Sequence, residues 1–355
     1  MIKEWHVLRR TSRAWLTIAL VLLTCCATPE SAPEPSAPAL SAYPEPDATE
    51  LSAYPEPTSE AGRATDTLPP LAPQPTPVPP RVTTMGVALD GAVWYAFGNR
   101  TSPPSGGEGV ERLASGQVTA FTTADGLPHD NVQVLEVAPD GTVWVGAGCA
   151  VARFDGDQWQ QVGPGCDDAL GTVLDIAIAP DGAVWVAGPF DLYRLEGDSW
   201  EVLDPMVRSI AFAWDGTLWA SGWTGRQDGQ YVGRFDGSEW ETYNTMELFS
   251  EPVGKVAVTP DGDVWGSTSY HGVVSFDGVE WEEHSTEDGL PSNRILDLAV
   301  SPSGEVWAVT DRGVARLDGS SWQIVEGAPP WARLLAFGPD GTAWFGTDAG
   351  VMGTH

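Results

Sequence analysis

From about residue 82 to the end, short apolar runs alternate with Asp-Gly or Ser-Gly steps, and the runs beside those steps, such as Val143 to Val145, are apolar at successive positions. A strand with one wet face alternates apolar and polar residues, so unbroken apolar runs predict strands covered on both faces. Asp-Gly between two such runs predicts a hairpin, because tight turns that match strand twist need positive φ. Aligned on one tryptophan, the segments read LDGAVW, PDGTVW, PDGAVW, WDGTLW, PDGDVW, PSGEVW and PDGTAW, with anchors at Trp94, Trp144, Trp185, Trp219, Trp265, Trp307 and Trp344. The anchors recur about every 42 residues, the length of one four-stranded propeller blade.

A second motif follows five of the anchors: FDGDQW, LEGDSW, FDGSEW, FDGVEW and LDGSSW, ending at Trp159, Trp200, Trp240, Trp281 and Trp322. In the first unit it decays to LASGQV, and in the last it is absent. Each unit therefore reads as four short antiparallel strands, and seven stacked sheets cover one another's faces in a ring. The expected fold is an all-β, seven-bladed β-propeller with four-stranded blades over residues 82–355. The last unit stops after AGVMGTH, which predicts a three-stranded blade. The alternative is a fourth strand from the segment before Thr84, confined to an edge by Pro79 and Pro80. Twelve of the fifteen tryptophans after residue 81 occupy the two repeated positions and are expected between blades. Trp214, Trp223 and Trp331 stand outside the pattern.

The first 80 residues follow different rules. Lys3, Arg9, Arg10 and Arg13 precede an uncharged apolar run from Ala14 to Leu23, the order of a secretory signal over residues 1–24 and too short to favour a membrane span. From Pro29 to Pro80 the chain holds fifteen of its thirty prolines and repeats LSAYPEP, so residues 25–81 read as an extended, unfolded stalk. The formal net charge is -31, and Lys3 and Lys255 are the sole lysines. That balance excludes a phosphate-binding surface and hence nucleic acid as a partner. Leu22, Leu23, Thr24 and Cys25 resemble the bacterial lipobox, although Thr24 replaces the usual small residue and Cys26 follows. The resemblance implies a lipid on Cys25 or Cys26, with the membrane met by that anchor alone, at the cell surface or in the periplasm. Ordinary cleavage and an uncleaved anchor are the alternatives. Cys149 and Cys166 flank the hairpin at Asp155 and Gly156, where Phe154 is expected opposite Trp159; in an oxidising compartment they predict a disulfide.

Between units the chain writes ADGLPHDNV at Ala124 to Val132 and EDGLPSNRI at Glu287 to Ile295, each leading into an apolar strand and a DGxVW turn. That order resembles the two-component regulator propeller repeat, found in extracellular sensor regions of bacterial hybrid histidine kinases and in stand-alone exported proteins. The resemblance spans roughly residues 85 to 355 and implies an extracytoplasmic ring that senses a carbohydrate, peptide or protein. No kinase or regulator domain follows, so phosphotransfer is not expected of this chain. GPDGTAWFGT at Gly338 to Thr347 also resembles streptogramin lyase repeats, which implies, as the alternative, a lyase or hydrolase using histidine and a metal. His129, His271, His284 and His355 are widely spaced and form no metal-ligand motif. No catalytic residue and no cofactor are therefore assigned; calcium suits the acidity but lacks a motif.

In the four-stranded reading both Asp-Gly turns of each unit fall on one side of the ring, while connections of varied length fall on the other. Variable loops on a rigid scaffold are where binding groups usually sit. Trp223, Arg226, Tyr270, His271, Arg294, Trp331 and Arg333 all map to that side and are the candidate ligand-binding residues of a ring expected to be monomeric. Trp214 maps to the Asp-Gly side.

Overall fold

The computed structural model describes residues 81–98, 108–163, 171–197, 199–203, 206–223 and 229–354. The expectations for residues 1–24, Cys25, Cys26, the stalk, Cys166, Arg226 and His355 lie outside the described residues.

The chain forms seven antiparallel sheets, each ordered as in sequence from the innermost strand outward, which is the predicted seven-bladed propeller. Blades 1 to 7 span residues 81–121, 132–162, 175–203, 207–244, 256–284, 295–324 and 334–353. Their inner strands are Arg81–Val87, Val132–Val137, Asp175–Ile178, Val207–Phe212, Val256–Val258, Ile295–Val300 and Leu334–Phe337. Six blades have four strands and blade 7 has three. The described residues before Thr84 belong to blade 1, where Arg81 and Val82 pair with Gly98 and Phe97.

The anchor tryptophans lie in the second strands, opposite Gly86, Glu136, Ala177, Ala211, Ala257, Ala299 and Ala336 of the inner strands. Small residues suit that position because the next blade is close. A Cβ built on Gly86 would stand 2.9 Å from Val137 Cγ2 of blade 2. Trp94, Trp144, Trp185, Trp219 and Trp265 are buried between neighbouring blades, and the tryptophans of the second motif pack beside them. Trp94, Phe121, Phe154 and Trp159 form one aromatic knot between blades 1 and 2. The predicted pairing of Phe154 with Trp159 is present.

The first turn of each blade, Asp-Gly in six and Ser-Gly in blade 6, has a three-residue loop instead of the shortest hairpin. In blade 1, Ala88 and Ala92 close the loop, Gly91 N–H donates to the Ala88 carbonyl, and Gly91 takes φ 77°. Asp90 Oδ1 accepts from the Ala92 N–H at 2.9 Å, so the aspartate supplies the acceptor and the glycine the left-handed residue of one turn.

The two GLP segments also share one structure. Thr123–Asp125 and Thr286–Asp288 are single 3₁₀ turns, each opened by a capping box from Thr122 or Ser285. Gly126 (φ 97°) and Gly289 (φ 102°) end them where an added Cβ would collide with the carbonyls of Trp159 and Trp322 of the following blade. Leu127 and Leu290 then plug the inter-blade cores. Ring closure comes from side-chain packing: Val82, Val93 and Tyr95 of blade 1 against Leu334, Trp344 and Val351 of blade 7.

Candidate functional site

Successive antiparallel strands put both Asp-Gly turns of a blade at one face, and put the second-to-third and blade-to-blade connections at the other. Trp223 ends the second strand of blade 4, Tyr270 and His271 sit in the second-to-third connection of blade 5, and Arg294, Trp331 and Arg333 lead into blades 6 and 7. The described candidates therefore share the predicted face. Their states differ. Tyr270 is 77% exposed, with its backbone N–H and that of Ser269 bound by the buried Glu251 carboxylate, so the loop is fixed while the ring projects. His271 Nδ1 lies 3.9 Å from Glu283. Trp331 is exposed, whereas Arg333 is engaged by Asp348 at 3.0 Å. Arg294 is exposed. They are spread over the connections of blades 4 to 7, so they mark a rim.

Two residues absent from the candidate set stand out. Phe190, in the Gly-Pro-Phe-Asp connection of blade 3, is 65% exposed on the same face. Blades 3, 4 and 5 thus carry Phe190, Trp223 and Tyr270 at the same end of the second strand, Trp223 as its last residue and the other two in the connection that follows, an aromatic arc on three successive blades. A phenylalanine at the tip of a turn was the available signal.

The other is Glu136. It lines the central channel, a cavity of about 770 Å³ bounded by all seven inner strands. Ten residues before the anchor tryptophans stand Thr84, Val134, Asp175, Ser209, Lys255, Asp297 and Leu334. Several of these seal one blade to the next. Thr84 Oγ1 accepts from Leu135 N–H at 2.9 Å, Asp175 Oδ2 from Ile210 N–H at 2.9 Å, Ser209 Oγ from Val256 N–H at 3.3 Å and Asp297 Oδ2 from Leu335 N–H at 2.8 Å. Val134 and Lys255 cannot accept. The aspartate of the following blade then turns back on its own strand, Asp175 Oδ1 to Ile176 N–H and Asp297 Oδ1 to Leu298 N–H. Lys255 Nζ instead donates to Asp297 Oδ1 at 2.6 Å.

Burial alone would lower Lys255, but Asp297, then Asp175 and Glu136, outweigh it and raise its pKa, so it is an ammonium and not a nucleophile. Protein surrounds this lysine, yet 46% of its side-chain surface opens on the channel. Burial raises Asp175, against hydrogen bonds from Ile210 and Ser209 and the charge of Lys255. Glu136 is pushed up to about 8 by burial and then by Asp175, with Lys255 opposing.

The histidines do not gather. His284 is buried, 2.9 Å from Ser275 Oγ and packed on Trp265, with burial lowering its pKa; His129 Nδ1 accepts from Asn131 N–H. Among the described residues no group of three or more His, Cys, Asp or Glu could hold a metal ion.

No family model matches this chain. No curated protein matches it by sequence either. Solved structures do. A streptogramin B lyase superposes with a TM-score of 0.63 at 17% identity, over 78% of this chain and 94% of that one. The extracellular domain of a hybrid two-component system from B. thetaiotaomicron gives 0.62 at 17% identity, over 77% of this chain and 38% of that one. YCF48 bound to a D1 peptide gives 0.58 at 18% identity, over 78% and 92%. At these identities the likeness is one of fold: a lyase, the extracellular domain of a two-component system and a peptide-bound protein share the ring. Among the described residues no helix is long and apolar enough to cross a membrane.

Proposed function

We propose that this chain is an exported propeller of the two-component regulator repeat type that binds a carbohydrate, peptide or protein on its variable-loop face, and that it is not an enzyme. The observation that carries the reading is the arc of Phe190, Trp223 and Tyr270, extended round the ring by Trp331. Exposed aromatic rings on fixed loops lose little entropy on contact and suit stacking on sugars or anchoring a peptide. The Asp-Gly face offers no such arc; its exposed Trp214 stands alone. The separate settings of His129, His271 and His284 favour binding over the histidine-and-metal lyase reading, which the fold likeness to streptogramin B lyase keeps as the second reading.

A test screens the purified chain against glycans, peptides and streptogramins by thermal shift, since a ligand of the native state raises the midpoint with concentration. For the hit, Phe190→Ala, Trp223→Ala and Tyr270→Ala should each weaken binding about tenfold, and Trp214→Ala should leave it unchanged. Weakening by Trp214→Ala alone would place the ligand on the opposite face. Turnover of a streptogramin would install the lyase reading.

A further inference from the structure

We infer that the central channel holds a site for a single organic cation, a primary ammonium or guanidinium on a slender chain, received by Glu136 beside Asp175. The sevenfold pattern breaks at one position. Opposite the anchor tryptophan, six blades carry Gly86, Ala177, Ala211, Ala257, Ala299 or Ala336, and blade 2 alone carries an acid. At Gly86 the next blade crowds even an added Cβ, which would stand 2.9 Å from Val137 Cγ2, and five other blades carry only a methyl group there. The longer side chain of Glu136 lines the channel cavity.

The other acids of the channel are already committed. Asp297 is bonded to Lys255 Nζ and to two backbone N–H groups. Asp175 receives two backbone N–H groups, its own strand's and that of blade 4. Arg208 lies exposed at the mouth and forms no ion pair among the described residues. Glu136 has no hydrogen-bond partner among the described residues; it feels the charges of Asp175 from blade 3 and Lys255 from blade 5. An enclosed carboxyl without a partner either keeps its proton or takes a counter-charge. The cavity of about 770 Å³ has room for an alkyl chain, and the only lysine of the described residues is tied to Asp297.

Because Glu136 sits at about 8, it is mostly protonated at neutral pH, and a bound cation would release that proton. Affinity therefore rises with pH up to about 8. The inference does not depend on the aromatic rim and can fail or stand without it.

The test uses the full chain with cadaverine and with the peptide acetyl-Gly-Lys-Gly-amide, against 1-hexanol and NaCl at matched ionic strength. Calorimetric titrations at pH 7 in two buffers of different ionisation heat report the proton released. Glu136→Ala restores the residue that five other blades carry, so that variant should fold, as its circular dichroism and melting curve will show. Binding should fall at least tenfold in Glu136→Ala, and the proton release should vanish. Binding of cadaverine alone identifies a free amine as the ligand chemistry, and binding of the peptide identifies a side chain; either supports the site. Equal titrations by wild type and Glu136→Ala, or no binding of both probes beyond NaCl, would overturn it.

Discussion

Glu136 and the turn aspartates sit at opposite ends of the same electrostatics. Backbone N–H groups within their own turns hold Asp140, Asp155, Asp215, Asp277 and Asp340 below the usual carboxylate range and take Asp236 to about 2. A carboxylate lowered on folding stabilises above its unfolded value, near 4, and loses that contribution as pH falls. Glu136 has the reverse sign. Its folded form keeps a proton up to about 8, while the unfolded chain releases it near pH 4.5. Between those values the native state binds the extra proton, so rising pH destabilises it. His284, lowered by burial, opposes this slope at its acidic end in any variant that retains it. The clean quantity is the difference between Glu136→Ala and wild type, measured by denaturant unfolding across pH. It should be small at pH 4.5 and reach about 4 kcal/mol in favour of the variant by pH 8, the linkage of a carboxyl moved from 4.5 to about 8. A pH-independent difference would show that Glu136 does not titrate in this window.

At the scale of elements, the repeats made the sheet order, the turns and the inter-blade tryptophans legible, because each is a local pattern copied several times. Val143, Trp144 and Val145 read as a strand covered on both faces and are one. The GLP loops were legible as a repeat but not as a device: nothing local says that Gly126 must lie against the Trp159 carbonyl of another blade. The channel seal was equally hidden, since its partners are a side chain in one repeat and a backbone N–H in the next. It depends on irregular pairing of inner strands, as between Val82 and Thr84 or Val207 and Ser209, which sequence does not announce. The acid of blade 2 is legible in the sequence, eight residues before Trp144 where the other blades have Gly or Ala, but nothing local marks that position as lining a channel. The seal makes a paired prediction. Thr84→Val keeps the shape and orphans Leu135 N–H, and should lower stability by about 1–3 kcal/mol in denaturant titration. Val134→Thr adds a hydroxyl where Asp175 already caps Ile176 N–H, and should be close to neutral. Equal effects would mean that the Thr84 bond contributes nothing beyond packing.

Over the whole ring, the junction between blades 7 and 1 differs from the junction between blades 1 and 2. There, Thr84 reaches across and Leu127 plugs the core. At the 7–1 junction Leu334 occupies the sealing position and has no acceptor, and blade 7 has three strands among the described residues. What holds the ring shut is the packing of Val82, Val93 and Tyr95 on Leu334, Trp344 and Val351. Propeller blades meet mainly their neighbours, so weakening one junction should open the ring locally before it unfolds globally. Tyr95→Ala removes a buried ring from the closing junction, and Leu135→Ala removes a buried side chain from the junction of blades 1 and 2. Both truncations should cost about 2–5 kcal/mol if the ring unfolds as one unit. Under native conditions, however, hydrogen exchange should separate them. Tyr95→Ala should speed exchange first in the inner strands Arg81–Val87 and Leu334–Phe337 and leave Val207–Phe212 protected. Exchange that accelerates evenly round the ring in Tyr95→Ala would show that blades 7 and 1 are bound as firmly as any other pair.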